Sequence, residues 1–358
     1  MEEGEEALFD QIICECNKGH FVVIEDLELL KTSPKWRIIT SSFPKLVCSS
    51  IPPYAFKKSE LTVDSAIPPP LRNFGNSCFL NVIIQCLFRI DPLRKAYLRC
   101  RWSDAVPHVL SPDGTYRLKY FAYGFHDYLS KIFTYIIDAN FTVDFFRDHQ
   151  ILQSYVGGSD QVGRSFDYKE ESVLEIFNRI ISSIDDHPVH PLIAQAYSCL
   201  KFRYLTHFGT QVMYFLPFLI SHQFPASISV STLLSNLRDD YFPLSNVPLK
   251  FSQFGDYFIM LFEHQAGAEI AHKEIQVTEE VTVQGGSTTW TFEPIVAIYS
   301  TQLSSYSWHF IAYVKNCFTQ RWYMANDSEI IEHVEFPLSK DEIVKNDKLS
   351  LLLLKKKE

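Results

Sequence analysis

The sequence of 358 residues predicts an α+β fold in which helices come first and antiparallel strands follow. Three observations lead to this prediction. Residues 78–90 are almost wholly apolar, which is typical of a buried helix, and residues 169–184 repeat apolar side chains at helical spacing. From about residue 200 the chain turns to short apolar runs such as "IVAIYS" and "HFIAYVK", which are typical of strands.

The individual elements are marked by turn and cap residues. Residues 61–73 contain three consecutive prolines and read as a linker, so we place a boundary near residue 66. This divides the chain into an N-terminal extension of unknown function, residues 1–66, and a principal domain, residues 67–358. Asp91 with Pro92 begins a second helix, "QGGS" at 284–287 is a hairpin tip, and "LSLLLL" at 349–354 is a final buried strand.

Composition narrows the class of protein. Hydrophobic residues make up 46% and aromatic residues 15% of the chain, which favours a packed globular protein. The formal net charge of −9 argues against nucleic acid as the main partner. The start is acidic and lacks the pattern of a signal peptide, and the longest apolar runs are too short to span a bilayer. We therefore expect an intracellular protein, cytoplasmic or nuclear, with no membrane partner and with its 8 cysteines reduced.

Cys78 stands where a polar turn meets the apolar helix. Gly75, Asn76 and Ser77 are turn and cap residues, so Cys78 falls in the first helical turn. The unpaired N–H groups and the helix dipole at that place stabilise a thiolate, which is the nucleophilic form of cysteine. The alternative is an ordinary buried cysteine, an interpretation that suits Cys86 eight residues later in the same helix.

A nucleophilic cysteine needs a base and a group that orients the base. His309 begins a strand-like run, and a second strand leads back to Asn326 and Asp327. Two adjacent antiparallel strands would bring His309 near one or the other of these residues. An amide or carboxylate bonded to one imidazole nitrogen would leave the other nitrogen facing the thiol. The alternative is an ordinary strand histidine followed by an ordinary "NDS" turn.

Taken together, these stretches resemble the ubiquitin-specific protease family of papain-like cysteine peptidases. The first box of the family corresponds to "PLRNFGNSCFLNVIIQCL" at 70–87, and the second to "WHFIAYV" at 308–314 followed by Trp322 and "ANDS" at 325–328. The resemblance extends over roughly residues 67–358. It implies a helical lobe, the thumb, set against a β-rich palm and fingers.

The family pattern implies a role for each matching residue. Cys78 matches the nucleophile, His309 the base, and Asn326 the third member of the triad, with Asp327 as the acidic residue that follows it. Asn73 matches the side-chain donor to the oxyanion, and the backbone N–H of Cys78 would be the second donor. The reaction implied is hydrolysis of the amide or isopeptide bond after the ubiquitin C-terminus, through an acyl-enzyme and without a cofactor.

Two further positions enter as candidate substrate-binding residues. Trp308 stands before His309 where the family usually has glycine, and its ring could narrow the cleft that takes the substrate tail. Gln85 matches the glutamine of the first box, for which a structural role is the interpretation we prefer.

Departures from the family pattern leave other functions open. The first box has Ser-Cys-Phe in place of Thr-Cys-Tyr, as in divergent members that include weakly active or inactive ones. Leu205 and Phe208 occupy places where many members have zinc-binding cysteines, so we expect no metal. The leading hypothesis is a deubiquitinating thiol peptidase. The alternatives are a weakly active or inactive ubiquitin-binding scaffold, and a peptidase for a ubiquitin-like modifier.

Overall fold

A computed structural model gives the architecture of the chain. It describes residues 22–24, 47–49, 67–73, 77–99, 115–138, 145, 148–149, 151–153, 173–185, 191–206, 209–220, 224–235, 250–264, 273–304, 307–316, 319–333 and 347–357. The helices with described bounds are α1 (Cys78–Phe88), α2 (Asp91–Arg99), α3 (Thr115–Ile137), α4 (Val173–Asp185), α5 (Pro191–Ala196) and α6 (Val230–Ser235), with a 3₁₀ turn at Tyr197–Leu200.

Strands dominate the second half of the chain. In chain order they are β1 (Val22–Ile24), β2 (Val47–Ser49), β3 (Phe202–Thr206), β4 (Gly209–Met213), β5 (Leu216–Ile220), β6 (Ser227–Ser229), β7 (Lys250–Phe254), β8 (Tyr257–His264), β9 (Glu274–Gln276), β10 (Val281–Gly285), β11 (Thr288–Ser304), β12 (Ser307–Lys315), β13 (Trp322–Asn326), β14 (Glu329–His333) and β15 (Lys348–Lys356).

The chain forms two compact units, each built from three segments. The first unit comprises Met1–Glu60, Pro92–Gly158 and Asn178–Ala196, and the second comprises Leu61–Asp91, Ser159–Phe177 and Tyr197–Glu358. The boundary predicted near residue 66 lies outside the described residues and stays a prediction.

The described part of the first unit is mainly helical. Phe125, Leu129 and Phe133 on α3 have no exposed area and form part of its core. His126, on the same helix, is also fully buried and lies between Tyr97 and Ser183. The helix predicted over 169–184 is confirmed as α4, of which the part from Asn178 onward belongs to this unit and has Ile180 fully buried; residues 169–172 lie outside the described part of the chain.

A mixed sheet forms the centre of the second unit. Within the described residues it has eight strands in the order β14-β13-β12-β11-β15-β8-β5, with β10 paired to β11. All neighbours are antiparallel except β5 and β8, which are parallel. Leu351, Leu352, Leu353 and Leu354 on β15 have no exposed area, so both faces of the strand are covered. The prediction of a buried final strand is confirmed.

Local signals in the sequence account for the turns of this sheet. β10 ends at Gly285 and β11 begins at Thr288, which confirms the predicted hairpin tip. Gly286 has φ +60°, a left-handed conformation that glycine adopts without steric cost. Two smaller sheets, β4-β3-β7 and β6-β9, complete the described strands of this unit.

Three elements of the second unit position the candidate site. Every residue of α1 is buried, as its almost wholly apolar sequence predicts, and the helix packs against β12. β12 carries His309 and pairs with β13, which ends at Asn326. None of the helices in the described part of the chain is both long enough and apolar enough to cross a membrane.

Candidate active site

Cys78 is the first residue of α1, as the sequence predicts. Ser77 is the N-cap residue, but its side chain makes no capping hydrogen bond to the helix. The N-terminal N–H groups and the dipole of α1 therefore favour a negative charge at this place. The side chain of Cys78 is 3% exposed, and its Sγ lies 3.9 Å from the carbonyl oxygen of Trp308. The thiol is thus next to the peptide group that precedes His309.

His309 is held by Asn326. The Nε2 atom of His309 and the Oδ1 atom of Asn326 are 2.6 Å apart. Because an amide oxygen only accepts hydrogen bonds, Nε2 carries the proton and Nδ1 carries a lone pair. Among the described residues, Nδ1 has no hydrogen-bond partner. The pairing of β12 with β13 thus selects Asn326 over Asp327 as the residue that orients the imidazole.

Asp327 connects two segments of the site instead of orienting His309. It lies in the turn after β13 with φ +52°, and its carboxylate accepts from Asn73 Nδ2 at 3.0 Å and from Asn81 Nδ2 at 2.7 Å. Its backbone oxygen accepts from the N–H of Leu71 at 2.9 Å. Asp327 therefore joins the segment before Cys78 to the hairpin that carries Asn326.

Asn73 is oriented from both ends of its amide. Its Oδ1 accepts from the N–H of Ser77 at 3.1 Å and from the Ser77 hydroxyl at 3.2 Å, while Nδ2 donates to Asp327. This arrangement holds the amide against Ser77, the residue that precedes Cys78. Its predicted role as an oxyanion donor stays a prediction.

Asn81 belongs to this arrangement and was not singled out by sequence reasoning. Besides Asp327, its Nδ2 donates to the backbone oxygens of Leu71 at 3.2 Å and Arg72 at 3.4 Å. A signal existed, because Asn81 is a polar residue one helical turn after Cys78 in an otherwise apolar segment. A buried amide in such a place needs partners, and here the partners are the chain segment that precedes the nucleophile.

The two predicted substrate-binding residues differ in their surroundings. Gln85 is 2% exposed, and its Nε2 donates to the backbone oxygen of Pro69 at 2.7 Å. This burial agrees with the structural role preferred for Gln85, and its assignment as a substrate-binding residue stays a prediction. Trp308 is half-buried, and the Nζ atom of Lys348 lies 5.2 Å from the centroid of its ring.

The other described cysteines have different environments. Burial raises the pKa of the Cys86 thiol far above its usual range, and burial, with a smaller contribution from Asp256, raises the pKa of Cys199 to about 12. Both thiols therefore form a thiolate less readily than an ordinary cysteine. No cluster of three or more metal-ligating side chains occurs within the described ranges, and the expectation of no zinc stays a prediction because Phe208 lies outside them.

Comparisons with known proteins concern the family and the fold of the chain. Residues 70–191 match the family model of ubiquitin carboxyl-terminal hydrolase. No curated protein sequence matches the chain. One similar solved structure is an essential yeast splicing factor, with 12% identity and a TM-score of 0.53, covering 81% of this chain and 70% of that one. Another is the Ubp8-Sgf11-Sgf73-Sus1 SAGA DUB module, with 13% identity and a TM-score of 0.51, covering 94% and 76%.

The fold is therefore the papain-like α+β fold that the sequence predicts. The family match, which includes Cys78, confirms the resemblance to the ubiquitin-specific proteases, within the ubiquitin carboxyl-terminal hydrolases. Residues 70–191 are thus similar to the ubiquitin carboxyl-terminal hydrolases, and the solved structures are similar to this chain in fold.

Proposed function

We propose that the chain is a deubiquitinating thiol peptidase that hydrolyses the amide or isopeptide bond after the C-terminus of ubiquitin. The observation that carries this proposal is the hydrogen bond of 2.6 Å between His309 Nε2 and Asn326 Oδ1, on the strand whose Trp308 carbonyl lies 3.9 Å from Cys78 Sγ. Nucleophilic catalysis by cysteine needs a thiol whose thiolate is stabilised and a base that is held in one orientation. Cys78 at the start of α1 and His309 bonded to Asn326 are the candidates for these two groups.

The reaction begins with proton transfer from Cys78 to Nδ1 of His309. The thiolate attacks the carbonyl carbon of the scissile bond, and the carbonyl oxygen becomes an oxyanion. The N–H of Cys78 and the amide of Asn73 donate hydrogen bonds to that oxyanion. The imidazolium of His309 then gives its proton to the leaving amine, which departs as the C–N bond breaks and a thioester remains.

Water completes the cycle. His309, again neutral, takes a proton from a water molecule that attacks the thioester carbonyl. The second tetrahedral intermediate collapses and breaks the C–S bond, and His309 returns its proton to the sulfur of Cys78. The product leaves as a carboxylic acid, which gives its remaining proton to the solvent. Asn326 keeps the imidazole in one orientation through both steps, and Asp327 and Asn81 keep the segment of Asn73 in place.

A ubiquitin-binding scaffold with weak or no catalysis is the second candidate. The observations in its favour are the 3% exposure of Cys78 and the large ring of Trp308 next to it in the chain. In that case ubiquitin would bind without access of its C-terminus to the thiol. A peptidase for a ubiquitin-like modifier would use the same chemistry on a different modifier.

The test is reaction of the purified chain with ubiquitin that carries a thiol-reactive electrophile at its C-terminus. We expect a covalent adduct with the wild type and with Cys86→Ala, and none with Cys78→Ala. Cys86→Ala is the matched control, because Cys86 is in the same helix but fully buried. Binding of ubiquitin without an adduct would favour the scaffold, and reaction only with a ubiquitin-like modifier carrying the same electrophile would favour the third candidate.

A further inference from the structure

A second carboxylate lies beside the histidine of the candidate site. Thr301 on β11 is the direct cross-strand partner of His309 on β12, so the two side chains point to the same face of the sheet. The hydroxyl of Thr301 donates a hydrogen bond to Oδ1 of Asp347. Asp347 immediately precedes β15, which pairs with β11 on the side opposite to β12. The tertiary structure thus places the Asp347 carboxylate against Thr301, the cross-strand partner of His309.

The second oxygen of Asp347 is unusual. Oδ2 is buried and has no hydrogen-bond partner among the described residues. A buried carboxylate oxygen without a hydrogen-bond partner destabilises the folded protein, so its presence here needs an explanation. Burial raises the pKa of Asp347 above its usual value, and the hydrogen bond from Thr301 and the charge of His309 offset part of this increase. The carboxylate and the imidazole are therefore close enough to interact electrostatically.

The residue that orients His309 does not balance the positive charge of an imidazolium. Asn326 is neutral, so it orients His309 but supplies no charge to balance an imidazolium. Asp327 is charged, but its carboxylate oxygens accept from Asn73 and Asn81. A cation that forms in a partly buried place is stabilised by an opposite charge nearby.

We propose that Asp347 is a positioning residue whose carboxylate stabilises the protonated His309 that forms when Cys78 gives up its proton. This inference rests on the proposed function, since it concerns the ion pair of the same site. In the step itself, the proton moves from Cys78 Sγ to His309 Nδ1 and no other bond forms or breaks. The thiolate and the imidazolium are then stabilised by different groups, the thiolate by the start of α1 and the imidazolium by Asp347.

Other ionisable groups around β12 do not replace this role. Tyr299, on the same face of β11, remains a neutral phenol because burial raises its pKa well above the usual range. Lys348 is cationic and lies over the ring of Trp308, on the face opposite to His309. Cys78 supplies the thiolate itself, and Asp327 makes the two hydrogen bonds described above. The Asp347 carboxylate, by contrast, accepts a hydrogen bond from Thr301, which is the direct cross-strand neighbour of His309.

The experiment is alkylation of Cys78 by iodoacetamide as a function of pH, followed by mass spectrometry of the Cys78 peptide. Wild type should react rapidly at pH 6, because the imidazolium keeps the thiolate formed. In Asp347→Asn the rate at pH 6 should fall about five- to tenfold, the change expected when one nearby charge is neutralised. At pH 10 the two rates should converge, since the thiolate then forms without an imidazolium. A purely structural role would lower reactivity equally at both pH values.

Three matched variants separate charge from packing. Asp347→Glu keeps the charge and should restore most of the rate, and Thr301→Val removes the hydrogen bond but keeps the charge, so it should stay within about twofold of wild type. Glu280→Gln removes one negative charge beside Lys357, at the opposite end of β15, and should change nothing. Thermal unfolding checks that each variant folds, and Asp347→Ser replaces Asp347→Asn if the latter does not.

The outcomes distinguish this inference from the proposed function. Equal rates for wild type and Asp347→Asn at pH 6 would overturn the role of Asp347 and leave the proposed function standing. A wild-type Cys78 that reacts only near pH 9, like a free thiol, would overturn both. Loss of rate in Asp347→Asn together with no adduct to ubiquitin would support Asp347 and contradict the proposed substrate.

Discussion

His126 in the first unit and His309 in the second are both hydrogen-bonded to polar side chains, but they differ in what is left to react. Nδ1 of His126 accepts from the hydroxyl of Tyr97 at 2.6 Å. Nε2 donates to Ser183 at 3.1 Å, since the Ser183 hydroxyl itself donates to the carbonyl of Ile180. Both ring nitrogens of His126 are thus satisfied inside the unit.

His309 has only one nitrogen committed. Nε2 donates to Asn326, and the lone pair of Nδ1 has no partner within the part of the chain that the structure describes. His126 has no exposed area, whereas His309 is half-buried. Burial lowers the pKa of His126 from its ordinary value of 6.5 to about 3, so this ring stays neutral at any physiological pH. The comparison teaches that hydrogen bonds to polar side chains do not by themselves identify a catalytic histidine. A ring such as that of His126, which is fully buried and bonded at both nitrogens, has no nitrogen left to accept a proton.

The largest expected effect is loss of catalysis on removing His309. His309→Ala should lower kcat/KM for a fluorogenic ubiquitin amide by about 10³-fold or more, because no base remains to take the proton of Cys78. Its thermal unfolding temperature should change little, since the ring is half-buried. A decrease of less than tenfold would contradict the role of His309 as the base.

Removing His126 should have the opposite signature. His126→Ala leaves a cavity and removes the partner of two buried hydroxyls, so we expect a loss of about 2–4 kcal/mol in the free energy of unfolding. Urea denaturation measures this loss. The kcat/KM of the folded protein should stay within about threefold of wild type. A variant of unchanged stability and lost activity would reverse the distinction drawn between the two histidines.

Removing the orienting residue should have an intermediate effect on catalysis. Asn326→Ala frees the imidazole to rotate, and we expect kcat/KM to fall about 10²-fold. Asn326→Asp is the matched control, because it keeps an acceptor for Nε2–H and should retain activity within about tenfold. Steady-state kinetics with the same ubiquitin substrate test both variants. If Asn326→Ala stayed within twofold of wild type, another group would have to orient His309.

The smallest effect concerns pH and stability. Because the pKa of His126 is lowered in the folded state, the unfolded chain binds a proton that the folded chain does not between about pH 6.5 and pH 3. Its contribution to stability is therefore complete above pH 6.5 and is lost as the pH falls through that range. Relative to His126→Gln, wild type should lose about 1 kcal/mol more per pH unit between pH 6 and pH 4. Urea denaturation at several pH values measures the difference, and parallel pH profiles would contradict it.

Much of the fold could be predicted from local patterns. The apolar run of α1, the helical spacing of α4, the hairpin tip at Gly286 and the leucines of β15 each express a short-range rule, and each is confirmed. The helix α3 was not predicted, although it has 23 residues. Its sequence mixes aromatic, polar and apolar residues, so the helical period is weak.

The candidate site could be predicted less completely. Cys78 and His309 were found from their neighbours in sequence, because a turn before a helix and a strand-like run are local features. The choice between Asn326 and Asp327 was left open, since adjacent residues differ in direction only once the strand and its turn have formed. The contact between Gln85 and Pro69 was not predicted, because no local rule connects two positions 16 residues apart in the chain.

The positions of the thiol and the imidazole within their elements follow from the amino-acid sequence. The turn residues before Cys78 favour a helix start there, and the apolar run after His309 is typical of a strand, since both are local features of the chain. The partners of these two groups could be seen only in the folded structure. Asn326 beside His309, the Asp327 bridge between Asn73 and Asn81, and Asp347 beside Thr301 depend on strand order and register, because these bring together residues far apart in the chain.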